Sequence, residues 1–311
     1  GGGGGGGGLS ARHRTMMLAA AKLALAPLLI LQGRRVRRMA LRLPEAAGER
    51  EAVLGEGSAR LRLLIVGDSA TAGVGAAHQR EALAGALAEH LAAQAGARVH
   101  WRLVARSGAT TAEALQLLDE SFAIAVPPAF AADGSRQSAG VAAPVAAALQ
   151  AVGGAAPAGN AVAADAGAGI HPHVGVVALG VNDVTGQEPL RRWLGTMESL
   201  ARRLERQHGV GLLVVSGLPP MHLFPALPQP LRWYLGACAR RYDRALRDWA
   251  ARRPATLFVP MPAMTDPALM AEDGFHPGPP AYAAWAEVLA QALLGALASG
   301  RAGPGSPAAD R

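Results

Sequence analysis

Leu61-Arg62-Leu63-Leu64-Ile65-Val66-Gly67-Asp68-Ser69-Ala70-Thr71-Ala72-Gly73 is the stretch on which the fold turns. An apolar run of strand length ends at Gly67, and a small, Gly-containing loop carrying a serine follows at once. Such a run suits a strand buried on both faces, as in a parallel sheet. Four more runs read in the same way: Val99 to Ala105, Val174 to Leu179, Val210 to Val215 and Thr256 to Val259. Helical patterns lie near 80–95, 111–121, 189–207, 231–251 and 280–298. Thr110 followed by Glu113 is a capping-box pattern for the second of these. Strand and helix alternating in this way predict an α/β sandwich around a parallel sheet.

Working outward, the domain is expected to span 60–298. Residues 1–8 are all glycine, so 1–15 are read as low-complexity sequence outside the fold, with Met16 or Met17 as the expected start. Met16 to Leu31 is apolar except for Lys22, with Pro27 inside it, and Arg34, Arg35, Arg37 and Arg38 follow. The stretch is shorter than the ~20 apolar residues that span a bilayer comfortably. Gln32-Gly33-Arg34-Arg35 makes a poor signal-peptide cleavage site, and positive charge on the C-terminal flank favours a cytoplasmic side. The segment 16–44 therefore reads first as a membrane-associated anchor, then as an interfacial helix, then as a secretory signal. An ordinary helix packed on the domain is the plain alternative. Residues 45–59 read as a polar linker. Residues 127–171, rich in Ala, Gly, Ser and Pro, read as a disordered insertion, and 299–311 as a disordered tail.

Of the 311 residues, 50% are hydrophobic but only 4% are aromatic, and the net charge is +7. Lys22 is the one lysine, so the positive charge is almost all arginine, spread over several helices. Nucleic-acid binding would want the arginines clustered with aromatics, and no such partner is expected. Cys238 stands alone, which excludes an intrachain disulfide and a Cys-rich metal site. His171 and His173 flank a proline, but no carboxylate or cysteine cluster joins them, so no metal is expected.

Three blocks carry the chemistry. Ser69 follows the first strand, and ligands in open parallel sheets bind beyond the carboxyl ends of strands. The loop lacks the Gly-Lys-Ser/Thr ending of a phosphate-binding P-loop. Gly180-Val181-Asn182-Asp183 follows the third strand, where the Asn182 amide can donate to a developing oxyanion. Asp183 reads as a structural residue bonding loop backbone. Gly108, past the second strand, lets backbone approach the reacting centre and offers a second N–H donor. Asp273-Gly274-Phe275-His276-Pro277 puts a base and a carboxylate in one loop before the last helix. A serine hydroxyl needs such a base, and the carboxylate three residues earlier fixes the imidazole tautomer. His222 is the rival base, read instead as part of a substrate rim. Taken alone, each block also has a bland reading: Ser69 as a cap, Asn182-Asp183 as a turn, His276 as a surface residue.

With these blocks in this order, the chain resembles the SGNH, or GDSL-type, hydrolases over roughly 60–298. That resemblance implies Ser69 as nucleophile, His276 as base and Asp273 as third triad member. It implies an oxyanion hole from Ser69, Gly108 and Asn182. It also implies a flavodoxin-like three-layer α/β/α sandwich with a five-stranded parallel sheet, hydrolysis of esters or thioesters, and no cofactor. Ala70 stands where the motif often has leucine. The segment from Gly217 to Leu235, rich in Pro, Met, Phe, Leu and Trp, is expected to rim the pocket, with Met221, Phe224 and Leu227 as apolar walls for a small ester or lipid substrate. A carbohydrate O-acetyl esterase and a membrane-tethered binding module that keeps the fold are the competing readings.

Overall fold

The computed structural model describes residues 11–56, 59–123, 173–263 and 266–299. The expected insertion at 127–171, His171 included, lies outside the described residues. The strands are β1 (Glu51–Leu54), β2 (Ala59–Gly67), β3 (Ala97–Ala105), β4 (His173–Ala178), β5 (Val210–Ser216) and β6 (Thr256–Val259). The helices are α1 (Ala11–Met39), α2 (Leu83–Ala95), α3 (Thr111–Ala123), α4 (Val181–Thr185), α5 (Leu190–His208), α6 (Leu231–Ala250) and α7 (Pro279–Ala298). All described strands form one sheet in the order β1-β3-β2-β4-β5-β6. The five strands from β2 to β6 are parallel, and their order is that of the flavodoxin-like doubly wound fold.

The sheet has six strands rather than the expected five, because β1 pairs antiparallel with the outer edge of β3, Glu51 opposite Arg102. Residues 45–59 are thus not a plain linker. Their strand is four residues long and half exposed, so no apolar run announced it. The N-terminal helix also starts earlier than the expected segment at 16: α1 spans Ala11–Met39.

Alternation along β2 divides the core into two layers. Leu61, Leu63 and Ile65 face α2 and α7, joined by Val99, Trp101, Val174 and Val176. Leu64 and Val66 face α3, α5 and α6, joined by Val104, Val177, Leu213 and Val215. Ile65 and Val66 are both fully buried, on opposite faces of one strand. Each such side chain contributes about 1.5–3 kcal/mol through burial. This two-sided burial is why the strands read as continuous apolar runs.

The strand order reverses at β2, whose successor β3 lies on one side while β4 lies on the other. A crevice opens at such a reversal, beyond the carboxyl ends of the strands. Ser69 follows β2 and Asn182 follows β4, so both stand at that crevice.

Candidate active site

Gly67 ends β2 because the chain folds back on itself there. A Cβ on Gly67 would lie 2.0 Å from Thr71 Oγ1. Ala72 N–H donates to Asp68 O at 2.8 Å and Val74 N–H to Ser69 O at 3.0 Å, which curls the loop and leaves Ser69 half buried at its start. Tyr282 of α7 holds the far side of the loop, its hydroxyl donating to Val74 O at 2.6 Å.

The base loop is a self-contained hairpin. Gly278 N–H donates to Leu269 O at 2.7 Å, Ala271 N–H to His276 O at 2.8 Å and Gly274 N–H to Ala271 O at 2.9 Å. Within it, Asp273 Oδ1 accepts from the N–H groups of Phe275 (2.9 Å) and His276 (3.0 Å). Asp273 Oδ2 lies 2.6 Å from His276 Nδ1. Burial pushes the Asp273 carboxyl up, but the bonds from the His276 ring and from these two N–H groups outweigh it and hold it below the ordinary range. An ionised carboxylate only accepts, so the proton sits on Nδ1 and leaves Nε2 free to accept. His276 Nε2 is 2.7 Å from Ser69 Oγ. Ser69, His276 and Asp273 are thus brought into one hydrogen-bonded line from two loops 207 positions apart.

Asn182 reaches the same place from β4. Its Nδ2 donates to Ala109 O at 3.0 Å and more weakly to Asp68 Oδ2 at 3.4 Å. It therefore stands between the residue before Ser69 and the residue after Gly108. Gly108 lies in the exposed turn after β3. Among the described residues, neither the Ser69 nor the Gly108 N–H is used by another protein group. Asp183 bonds α3, as its structural reading requires: its carboxylate accepts from Thr111 N–H (3.1 Å) and from the Thr111 hydroxyl (2.8 Å). The same hydroxyl accepts from Trp193 Nε1 at 2.9 Å. The Thr110–Glu113 capping box also forms, with Thr110 N–H donating to Glu113 Oε2 at 2.8 Å and Glu113 N–H to Thr110 Oγ1 at 3.3 Å.

Several supporting residues carried no sequence signal. Glu45 Oε1 accepts from Ser107 N–H at 2.6 Å, and Arg50, paired with Glu45, donates to Ala105 O at 2.6 Å, so the stretch before β1 clamps the Gly108 turn. Asp68 is buried, and burial, only partly offset by the Ala70 N–H, raises its carboxyl to about 6. Such partners are set by spatial contact, and their sequence separations hide them.

The expected pocket walls need correction. Met221, Phe224 and Leu227 are only 2%, 8% and 4% exposed and belong to the core layer on the α6 side. Phe224 packs edge-on against Phe275, ring centroids 6.2 Å apart, and so braces the base loop. The apolar richness of 217–235 reflects packing of this segment onto α6. His222 is exposed and packs beside Gly236 of α6, and partial burial followed by the charge of Arg240 lowers its pKa. A groove of about 330 Å³ does flank the base loop, lined by Leu43, Ala76, Met270, Ala271 and Pro279 among others.

The GDSL-like Lipase/Acylhydrolase family profile matches residues 121–284, over half of the chain. That stretch includes Asn182, Asp273 and His276 and begins downstream of Ser69 and Gly108. A GDSL-like esterase of Mycobacterium tuberculosis is 26% identical over 244 residues, which cover 76% of this chain and 63% of that protein. The match thus spans less than two thirds of that relative's length. Among solved structures, the chain is similar to the psychrotrophic esterase EstA from Pseudoalteromonas sp., at 14% identity and a TM-score of 0.48 over 76% of this chain and 98% of that one. It is also similar to a family 3 carbohydrate esterase of Clostridium thermocellum, at 15% identity and a TM-score of 0.46 over 77% and 98%. By its profile match, the chain belongs to the GDSL-like lipase/acylhydrolase family.

Proposed function

We propose that the protein is a serine esterase acting through an acyl-enzyme on Ser69. The observation that carries this reading is the line from Ser69 Oγ to His276 Nε2 at 2.7 Å and from His276 Nδ1 to Asp273 at 2.6 Å. Ser69 Oγ attacks the acyl carbon while His276 Nε2 takes its proton. Asp273 holds the ring and stabilises the imidazolium. The oxyanion accepts from the N–H groups of Ser69 and Gly108 and from Asn182 Nδ2, which gives up its long contact to Asp68. One such donor is worth about 2.7–4 kcal/mol in the transition state. His276 then protonates the leaving alcohol or thiol, and water, deprotonated by the same ring, hydrolyses the acyl-enzyme.

An apolar acyl group suits the groove of Leu43, Ala76, Met270 and Ala271 beside the base loop. The test is hydrolysis of p-nitrophenyl esters of rising acyl length by the full chain, beside Ser69→Ala, His276→Ala and Asp273→Asn. Turnover is expected to vanish in the first two and to fall on the order of 10³–10⁴-fold in the third. Full activity in Ser69→Ala would overturn the assignment. A rate maximal at acetyl and falling with length would replace the apolar preference with an acetyl esterase.

A further inference from the structure

We propose that α1 is an in-plane membrane-surface helix, carried on the flank of the folded domain, and that its partner is an anionic lipid bilayer. The domain uses one face of α1. Leu18, Leu25, Leu29 and Val36, at helical spacing, pack against the core layer that contains α6. Gln32 Nε2 donates to Gln229 O at 2.7 Å, and Gln32 Oε1 accepts from Leu231 N–H at 3.2 Å. The opposite face carries Met16, Leu23 and Ile30 at seven-residue intervals, then Arg34. Leu23 is 79% exposed, and Met16, Ile30 and Leu31 are all more than half exposed.

A helix with one face on a domain and the other in water is polar on the outer face. Between Met16 and Leu31 the only charged or hydrogen-bonding side chain is Lys22. An apolar surface of this extent marks an interaction site. The charge at its end chooses the partner. Arg34, Arg35, Arg37 and Arg38 are exposed, and none forms an ion pair with another described residue. Juxtaposed apolar and arginine-rich surface fits anionic head groups over an acyl layer.

Met16–Met39 is long and apolar enough, by length and composition alone, to cross a membrane. Its uncharged-rich part, Met16 to Leu31, is however only about 24 Å long, short of the ~30 Å hydrocarbon layer. Crossing would also pull Leu25, Leu29 and Gln32 away from the domain. Lying in the plane keeps those contacts.

The geometry also sets which end of the domain meets the lipid. Gln32 bonds the N-terminus of α6 and the residue just before it, and Arg34, Arg35, Arg37 and Arg38 follow within two turns of α1. The arginine-bearing end of α1 therefore lies toward the carboxyl end of the sheet, the end beyond which Ser69 stands. Trp233, 45% exposed, stands there too, its backbone N–H donating to Gln229 Oε1 at 3.2 Å. The segment continues to Pro225 and Ala226, which abut Gly274 of the base hairpin.

The test is co-sedimentation of the full chain with vesicles of phosphatidylcholine alone and with about a third phosphatidylglycerol. Binding is expected to the anionic vesicles, to weaken with salt, and to fall roughly fivefold for each of Arg34→Gln and Arg37→Gln. Leu23→Asp and Ile30→Asp, at positions the fold leaves exposed, should weaken binding with an unchanged circular dichroism spectrum. Trp233 fluorescence should be quenched by acyl-brominated lipid, and the quenching lost in Trp233→Phe. Salt-resistant insertion into both vesicle types with Trp233 unquenched would overturn the in-plane helix in favour of a spanning one. No vesicle binding, with a dimer in light scattering that Leu23→Asp dissolves, would assign the face to a second copy of the chain.

Discussion

Gly75 and Pro277 pass each other with no room for a side chain: a Cβ on Gly75 would lie 2.4 Å from the Pro277 carbonyl oxygen. Gly75 also holds φ at +98°, where a side chain is strained. This contact joins the loop of Ser69 to the hairpin of His276. Gly75→Ala is expected to destabilise the fold by about 2–4 kcal/mol through strain and overpacking. A displacement of about 1 Å between the loops costs on the order of 10²-fold in rate. Urea unfolding beside ester turnover checks both, and an unchanged midpoint and rate would show that the loops accommodate a methyl group.

Asp68 makes stability depend on pH in a direction opposite to the usual carboxylate. Its folded pKa, about 6, lies above the ordinary 3.8, because burial disfavours the charge. Between these values the folded state binds the extra proton. Its contribution is therefore complete below about pH 4 and is lost as pH rises through about 6. Asp68→Asn stays neutral throughout. It should raise stability at pH 8 by up to about 3 kcal/mol and flatten the slope between pH 4 and 6. Asp183, also raised by burial before the opposing Thr111 bonds, leaves a residual slope in the variant. Thermal melts across pH 4–8 read this directly.

Thr111→Val removes one hydroxyl that serves two buried groups, the Asp183 carboxylate and the Trp193 indole N–H. Two groups left short of partners cost about 2–4 kcal/mol together. Asp183 lies in α4 with Asn182 beside it, so the loosened network should lower kcat more than it changes KM. Steady-state kinetics with urea titration separates the two effects.

Phe224→Ala discriminates a packing residue from a pocket wall. A buried aromatic cut to alanine costs about 3–5 kcal/mol. Phe224 braces Phe275, so turnover should drop by a similar factor for short and long acyl esters. A selective loss on long chains would return Phe224 to the pocket.

Strands β2, β4 and β5 were legible because each is buried on both faces, so hydrophobicity ran unbroken through Leu63-Leu64-Ile65-Val66, and β3 and β6, only partly buried, still kept short apolar runs. Ser69 and Asn182 were legible because each follows a strand within a short block, and Asp273 and His276 because they share one short block just before a helix. The edge strand Glu51–Leu54 was not, since one partner and an exposed face need no apolar run. The burial of Met221, Phe224 and Leu227 was equally hidden: a Pro-rich apolar loop has the same composition whether it lines a cleft or covers α6. The Glu45–Arg50 clamp on the Gly108 turn pairs residues that only the folded sheet edge brings together.

Asp273 and His276 share a hairpin closed by its own backbone bonds, whereas Ser69 rides on the sheet. Moving the hairpin carries the imidazole and its carboxylate together, so the ring keeps its tautomer and its Asp273 partner. The single adjustable coordinate is the gap between Nε2 and Oγ. Two kinds of change are therefore separable in this architecture: changes between the two loops alter the Nε2–Oγ gap and how often the proton moves, and changes inside the hairpin alter how firmly Asp273 holds the ring.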